Sequence, residues 1–309
     1  SSATTVMVVS FVNAGLLSLV QSIGVIMGAN IGTTATAWLI SLFGFGKFSI
    51  SALSIPLMGI AIPLIFSSKN KRKSFGEFIF GFAFLFLGLD YLKASMPDLQ
   101  NNPEVLSFVQ NFSDMGIWST LFYLLIGTVL TLIVQSSSAT VALTLIMATK
   151  GWIDFPSAAA MILGENIGTT ITANLAAIPA NISAKRAAFS HFLFNVFGVI
   201  WVLLVFKFFV GMVEQIVLNF GPGDPTAMKT FLNSLSPEEY NQIATLSKSE
   251  LPAHLVPKYE TFMSYQAATS YGLSLFHTMF NVSNVFVMIW FVNLYEKICL
   301  KVIRHRKGE

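Results

Sequence analysis

The chain is short of charge. Asp, Glu, Lys and Arg make up 11% of its 309 residues, against roughly 25% in an ordinary soluble domain. With 54% hydrophobic residues and a mean hydropathy of +0.69, this excludes a surface wetted all round and points to a lipid-embedded chain. Cysteine is scarcer still: Cys299 stands alone, so no disulfide can close within the chain, and nothing marks a redox compartment. Four His and one Cys, scattered without ligand spacing, exclude a zinc-type centre. The opening SSATTVMVVS has no basic n-region, which argues against a cleavable signal peptide. No Lys follows the final Gly of GANIGTT, so that phrase is not an ATP-binding P-loop. No carboxylate is placed to orient His191 as the base of a serine nucleophile. An enzyme is not expected.

What is present is long apolar sequence. Uncharged runs cover Ile50–Phe66, Phe78–Leu89 and Trp118–Val134, and two more end at Phe206 and Val292. Most reach, with their flanks, the roughly 20 residues that a membrane-crossing helix needs, and they lack a polar stripe. The expected fold is an all-α polytopic membrane protein. Basic residues cluster at Lys69–Lys73, at Lys185-Arg186 and in the tail from Lys297 to Lys307, which the positive-inside rule places in the cytoplasm. The acid-bearing segments around Asp98–Asp114 and between Phe220 and Phe262 fall on the outer side. Counting crossings between these markers, the stretch from Gln135 to Pro179 must leave and return, or dip in without crossing.

That stretch contains half of an internal repeat. The segment from Ser1 to Ala37 aligns without a gap on Ser137–Ala173, beginning S-S-A-T in both and ending G-A-N-I-G-T-T against G-E-N-I-G-T-T. Two matched phrases at one common offset indicate duplication. The crossing count sets the copies in opposite orientations, an inverted-topology repeat of the kind whose substrate site lies near the midplane.

Both phrases put Gly, Ser, Thr, Asn and Gln into apolar surroundings and weaken a helix, Gly by about 1 kcal/mol relative to Ala. Interrupted backbone is tolerated in lipid only where protein or a wet cavity covers it. A break at each phrase is therefore expected, giving broken or re-entrant helices. It would present N–H groups to an anion at one half-helix, and carbonyl, Asn and Thr oxygens to a hard cation such as Na+ at the other. The competing reading is close helix packing through small residues, which one copy alone would equally permit. Glu165, opposite Ala29 in the repeat, could hold Na+ or a proton, or cap a helix. His191 and His277 both open H-x-x-F-N-V; a buried His could relay protons, but with no carboxylate nearby in sequence a hydrogen-bonded packing role is expected, and Asn195 and Asn281 could reach the ion path or bond across helices.

Q-S-S-S-A-T from Gln135 followed by G-x-N-I-G-T-T, duplicated in inverted halves, resembles the sodium/phosphate cotransporter family, the type II symporters and their bacterial relatives. The resemblance runs from Ser1 to about Phe206. It implies a plasma-membrane carrier that couples phosphate import to sodium, with no cofactor beyond the coupling ion. It assigns Ser1, Ser2, Thr4, Ser136, Ser137, Ser138 and Thr140 to phosphate. It assigns Gln135, Asn30, Thr33, Thr34, Asn166, Thr169 and Thr170 to sodium. The implied organisation is a first repeat over 1–66, a connecting span and outer loop over 67–117, and a second repeat over 118–215. An extracytoplasmic loop over 216–265, a last span and a basic cytoplasmic tail over 266–309 follow. The first repeat begins without counterparts of Gln135 and Ser136 and is expected to be truncated at its start. A carrier of another small oxyanion, a proton-coupled carrier and a non-transporting receptor or scaffold stand as alternatives.

Overall fold

The computed structural model describes residues 2–45, 50–95, 112 and 115–304, except for the side chains of residues 50 and 51. Thirteen α-helices and no strand occur among the described residues. They are α1 (Ser2–Asn13), α2 (Leu19–Gly44), α3 (Ser54–Ile65), α4 (Asn70–Ser95), α5 (Ile117–Val134), α6 (Ser137–Thr149) and α7 (Phe155–Ala176). Then follow α8 (Ile182–Leu204), α9 (Phe206–Phe220), α10 (Ala227–Asn233), α11 (Pro237–Thr245), α12 (Val256–Met288) and α13 (Val292–Val302). Five helical stretches are long and apolar enough to cross a membrane: α2, α4, α5, α8 and the run from Ala253 to Val302. The chain is an all-α multi-pass membrane protein. One expected span is corrected. The Ile50–Phe66 run folds as a 3-10 turn and the 12-residue α3, about 18 Å long at 1.5 Å per residue, against a hydrocarbon core of about 30 Å.

The duplicated segment folds the same way twice. α1 and α6 are the short Ser-rich helices, and α2 and α7 carry the N-I-G-T-T phrases. Between them the chain turns at Gly15 (φ +74°) and Gly151 (φ +68°), which align in the repeat. That left-handed conformation is open to Gly without a Cβ penalty. Ser18 then caps α2 by accepting from Gln21 N at 3.2 Å, and its aligned partner Asp154 caps α7 by accepting from Ser157 N at 2.8 Å. The caps satisfy amide groups that a helix start leaves bare.

Contacts at the ends tie helices together. Asn181, the N-cap of α8, donates through N and Nδ2 to Asn13 Oδ1 and O at 2.7 and 2.9 Å, tying the end of α1 to the start of α8. Lys93 Nζ, near the end of α4, donates to Gly44 O at the far end of α2.

The expected break falls elsewhere than at N-I-G-T-T. Both phrases lie within continuous helices, α2 and α7, whereas the chain breaks at Gln135, a left-handed residue (φ 55°) between α5 and α6. The reason is packing. A Cβ at Gly164 would overlap Leu124 O, one at Gly127 would overlap Met161 O, and one at Gly168 would stand 2.7 Å from Thr128 O. The missing side chains let α5 and α7 lie in near backbone contact, where Thr128 Oγ1 donates to Gly164 O at 3.1 Å. Close packing recovers what Gly costs in propensity. α12 crosses α2 through a polar seam: Trp38 Nε1 donates to Thr278 Oγ1 (2.8 Å), Ser274 Oγ to Ala37 O (2.9 Å), and Ser41 Oγ to Ser270 Oγ (3.1 Å).

Candidate functional site

Within each N-I-G-T-T helix the polar side chains bond backwards to their own helix. Asn30 Nδ2 donates to Ile26 O and Asn166 Nδ2 to Ile162 O, both at 2.8 Å. Thr34 Oγ1 donates to Ile31 O at 2.8 Å and Thr170 Oγ1 to Ile167 O at 2.7 Å. The repeat therefore conserves a hydrogen-bond habit as well as letters. It keeps each helix continuous, and it commits one N–H of each amide to the turn, leaving Oδ1 and the second N–H for other partners.

Those faces meet. Asn30 and Thr33 of α2, Asn166, Thr169 and Glu165 of α7, Ser137 and Val141 of α6, and His277 of α12 line one small cavity of about 10 Å³. That is room for about one water-sized species. Thr169 Oγ1 donates to Glu165 O at 2.8 Å, so it too offers lone pairs inward. Glu165 is 1% exposed; its Oε1 accepts from Thr144 Oγ1 at 2.6 Å, and its Oε2 has no hydrogen-bond partner. A carboxylate buried at this depth is costly unless a cation or a proton joins it. Amide, hydroxyl and carboxyl oxygens around a space of this size are the chemistry of a hard monovalent cation. A larger cleft, about 990 Å³, lies between the first turns of α5, α7 and α9 near Ile117, Asp154 and Lys207, and it contains none of the repeat-phrase residues.

The remaining expected residues are placed as follows. Ser1 lies outside the described residues. Ser2 is half-buried at the start of α1, and Thr4 is exposed, with Thr5 the buried hydroxyl of that turn. Ser136 caps α6 by accepting from Ala139 N, and Ser138 is exposed. Gln135 is exposed at the break. Thr140 is buried, but its hydroxyl faces Ser136 O, Ser137 O and Thr131 Oγ1, each at 3.1 Å, so it clamps α6 to α5 and stands outside the cavity wall. Thr34 and Thr170 serve their own helices, as above. Asn195 and Asn281 are fully buried and also stand off the cavity. The structure therefore brings together Asn30, Thr33, Ser137, Glu165, Asn166 and Thr169. It adds His277, for which sequence reasoning expected packing; the signal was its duplication in H-x-x-F-N-V.

The Na+/Pi-cotransporter family profile matches residues 1–94 and 110–222. YqeW of Bacillus subtilis, a protein of uncharacterised function, is 34% identical over 219 residues, 70% of this chain and 67% of that protein. YjbB of Escherichia coli, provisionally named an inorganic phosphate export protein, is 31% identical over 205 residues, 66% of this chain but 36% of its own length. Sodium-dependent phosphate transport protein 2C of mouse is 43% identical over 86 residues, 26% of this chain and 14% of that protein. No solved structure matches. Helices able to cross a membrane, the twice-written N-I-G-T-T cavity and a profile match over most of the length lead to one assignment: the chain belongs to the Na+/Pi-cotransporter family, a family of transporters rather than enzymes.

Proposed function

We propose that the chain is a sodium-coupled carrier that imports inorganic phosphate by alternating access between two inverted repeats, residues 1–66 and 118–215. The observation that carries this is the convergence of Asn30, Thr33, Asn166 and Thr169 with Glu165 and Ser137 on one small, oxygen-lined cavity. Sodium occupies that cavity, held by these oxygens. Phosphate is held by the Ser-rich segments, where the first turn of α6 supplies a helix N-terminus and hydroxyl donors beside Ser137. Coupling follows from charge. The Glu165 carboxylate repels an approaching anion until a cation neutralises it, so sodium binds before phosphate. The protein sits in the plasma membrane with its basic ends, including Lys185, Arg186 and the C-terminus, in the cytoplasm; Arg186 Nε donating to Ile303 O keeps two of these segments together.

The test is radiolabelled phosphate uptake into proteoliposomes under an inward sodium gradient. Accumulation that disappears when K+ replaces Na+ supports the reading; uptake indifferent to that exchange overturns sodium coupling and leaves the proton-coupled alternative. Inhibition by sulfate equal to that by unlabelled phosphate would move the substrate to another oxyanion. The name of the E. coli relative favours a second direction, export. A symporter runs down the combined gradients of its ions, so an inward sodium gradient drives import. Net phosphate efflux under that gradient would establish export instead.

A further inference from the structure

The H-x-x-F-N-V motif at His191 on α8 recurs at His277 on α12. Both copies share one hydrogen-bond habit: Asn195 Nδ2 donates to His191 O at 3.0 Å, and Asn281 Nδ2 donates to His277 O at 2.9 Å. The four side chains are at most 3% exposed. Both ring nitrogens of His191, Nδ1 of His277 and Oδ1 of both asparagines have no hydrogen-bond partner. Buried polar groups are rarely left so, and orphans repeated at matched positions call for a partner that comes and goes.

The two motif helices are also placed alike. α8 lies against the Ser-rich α1 and α12 against the Ser-rich α6, and both touch α2 and α7. His277 forms part of the cavity wall with Ser137. Donor accounting then separates the two ligands. Asn30 and Asn166 each commit one amide N–H to Ile26 O and Ile162 O, and the Thr169 hydroxyl donates to Glu165 O, so this part of the wall is rich in oxygens, which attract a cation. An oxyanion needs N–H or O–H groups. Beside the second N–H of each asparagine, the wall next to Ser137 holds the imidazole of His277, whose Nδ1 has no partner and which carries one N–H donor when neutral.

We propose that His277, beside Ser137, is a substrate-binding residue that donates an N–H to an oxygen of bound phosphate, and that His191 does the same for the Ser-rich segment of the first repeat. This deepens the carrier reading above and rests on it. The cavity holds about one water-sized species as it stands, so phosphate reaches His277 when α12 and α6 part, and the imidazole is the donor that this movement uncovers.

The experiment compares full-length wild type, His277→Ala and His277→Gln in proteoliposomes, with the phosphate KM and the half-saturating sodium concentration measured separately. His277→Ala is expected to raise the phosphate KM at least tenfold with the sodium value changed less than twofold, and His277→Gln, which keeps an N–H donor, to recover most of that loss. Phosphate binding to purified protein by equilibrium dialysis, with thermal unfolding alongside, gives a readout if a variant transports poorly. His191→Ala is expected to weaken phosphate binding in the same sense. An unchanged phosphate KM, or equal shifts in both constants with a lowered unfolding temperature that Gln does not restore, overturns the proposal and leaves the carrier reading intact. Wild type that neither binds nor carries phosphate overturns both.

Discussion

At the scale of single residues, the repeat is a pattern of spent donors. Asn30 and Asn166 turn the same group to the carbonyl four residues back, and each keeps its Oδ1 and one N–H for the cavity. Removing one such ligand costs about 1–3 kcal/mol for a charged partner, or roughly ten- to a hundredfold in affinity at 1.4 kcal/mol per decade. Asn166→Ala and Thr169→Ala are therefore expected to raise the half-saturating sodium concentration by that factor, read from the sodium dependence of uptake. Thr140→Val tests the opposite case. Its hydroxyl clamps α6 to α5, so the loss should appear as about 1 kcal/mol of stability in thermal unfolding, with sodium dependence unchanged. Asn30, Thr33, Asn166 and Thr169 were legible because two copies carried them. Thr140 was legible as a polar residue but not in its use, since which side of a helix a hydroxyl faces depends on the neighbour it packs against. His277 was read as packing because its partners lie on other helices, far away in sequence.

At the scale of elements, the surprise is that N-I-G-T-T does not break its helix. Local propensity argued for interruption, but the side chains bond back into the helix, and the glycines of α7 admit α5 to backbone contact. Gly164→Ala and Gly168→Ala should each cost roughly 1–3 kcal/mol by overpacking, seen as a lowered unfolding temperature and reduced yield of folded protein. Gly211→Ala on α9, where a Cβ meets nothing within 4 Å, serves as the neutral control. The segment between α9 and α12 also has more structure than its reading as a loop suggested: α10 and α11 pack there, with Ser236 and Glu239 forming a capping box and Lys258 bound to Glu239 at 2.5 Å. The hydrogen bond from Lys258, then that from Ser236 N, holds the Glu239 carboxyl below the ordinary range; the Ser247 hydroxyl and N do the same for Glu250. A lowered folded-state pKa stabilises above the unfolded carboxylate pKa, and that stability is lost as pH falls through the folded value. Amide exchange in α11, corrected for intrinsic rate, should stay slow at neutral pH and quicken only under acid conditions. Glu239→Gln should remove much of that pH dependence.

At the scale of the whole molecule, the membrane class, four of the five crossing stretches and the presence of a duplication were readable, because composition and run length follow directly from the solvent. The shortness of α3 was not, since an apolar run carries no mark of where a neighbouring helix ends it. Two matched halves, each a short Ser-rich helix followed by a long N-I-G-T-T helix, suit a carrier whose two halves exchange roles. Such a carrier is reversible. Proteoliposomes loaded with phosphate and sodium and diluted into sodium-free medium should release phosphate, at a rate that falls with Asn166→Ala; release unaffected by the direction of the sodium gradient would break the coupling.

The cavity between those halves is scarcely larger than one water molecule. A space so tight admits no hydrated ion while the helices stay together, so an ion taken up there must shed its water or wait for the helices to part. On the carrier reading proposed above, its dwell time then reports how often the helices part. The escape rate of a bound sodium ion, followed by isotope exchange, then acts as a clock for the opening of the protein, and should slow or quicken with substitutions at the α2–α12 seam that never touch the ion.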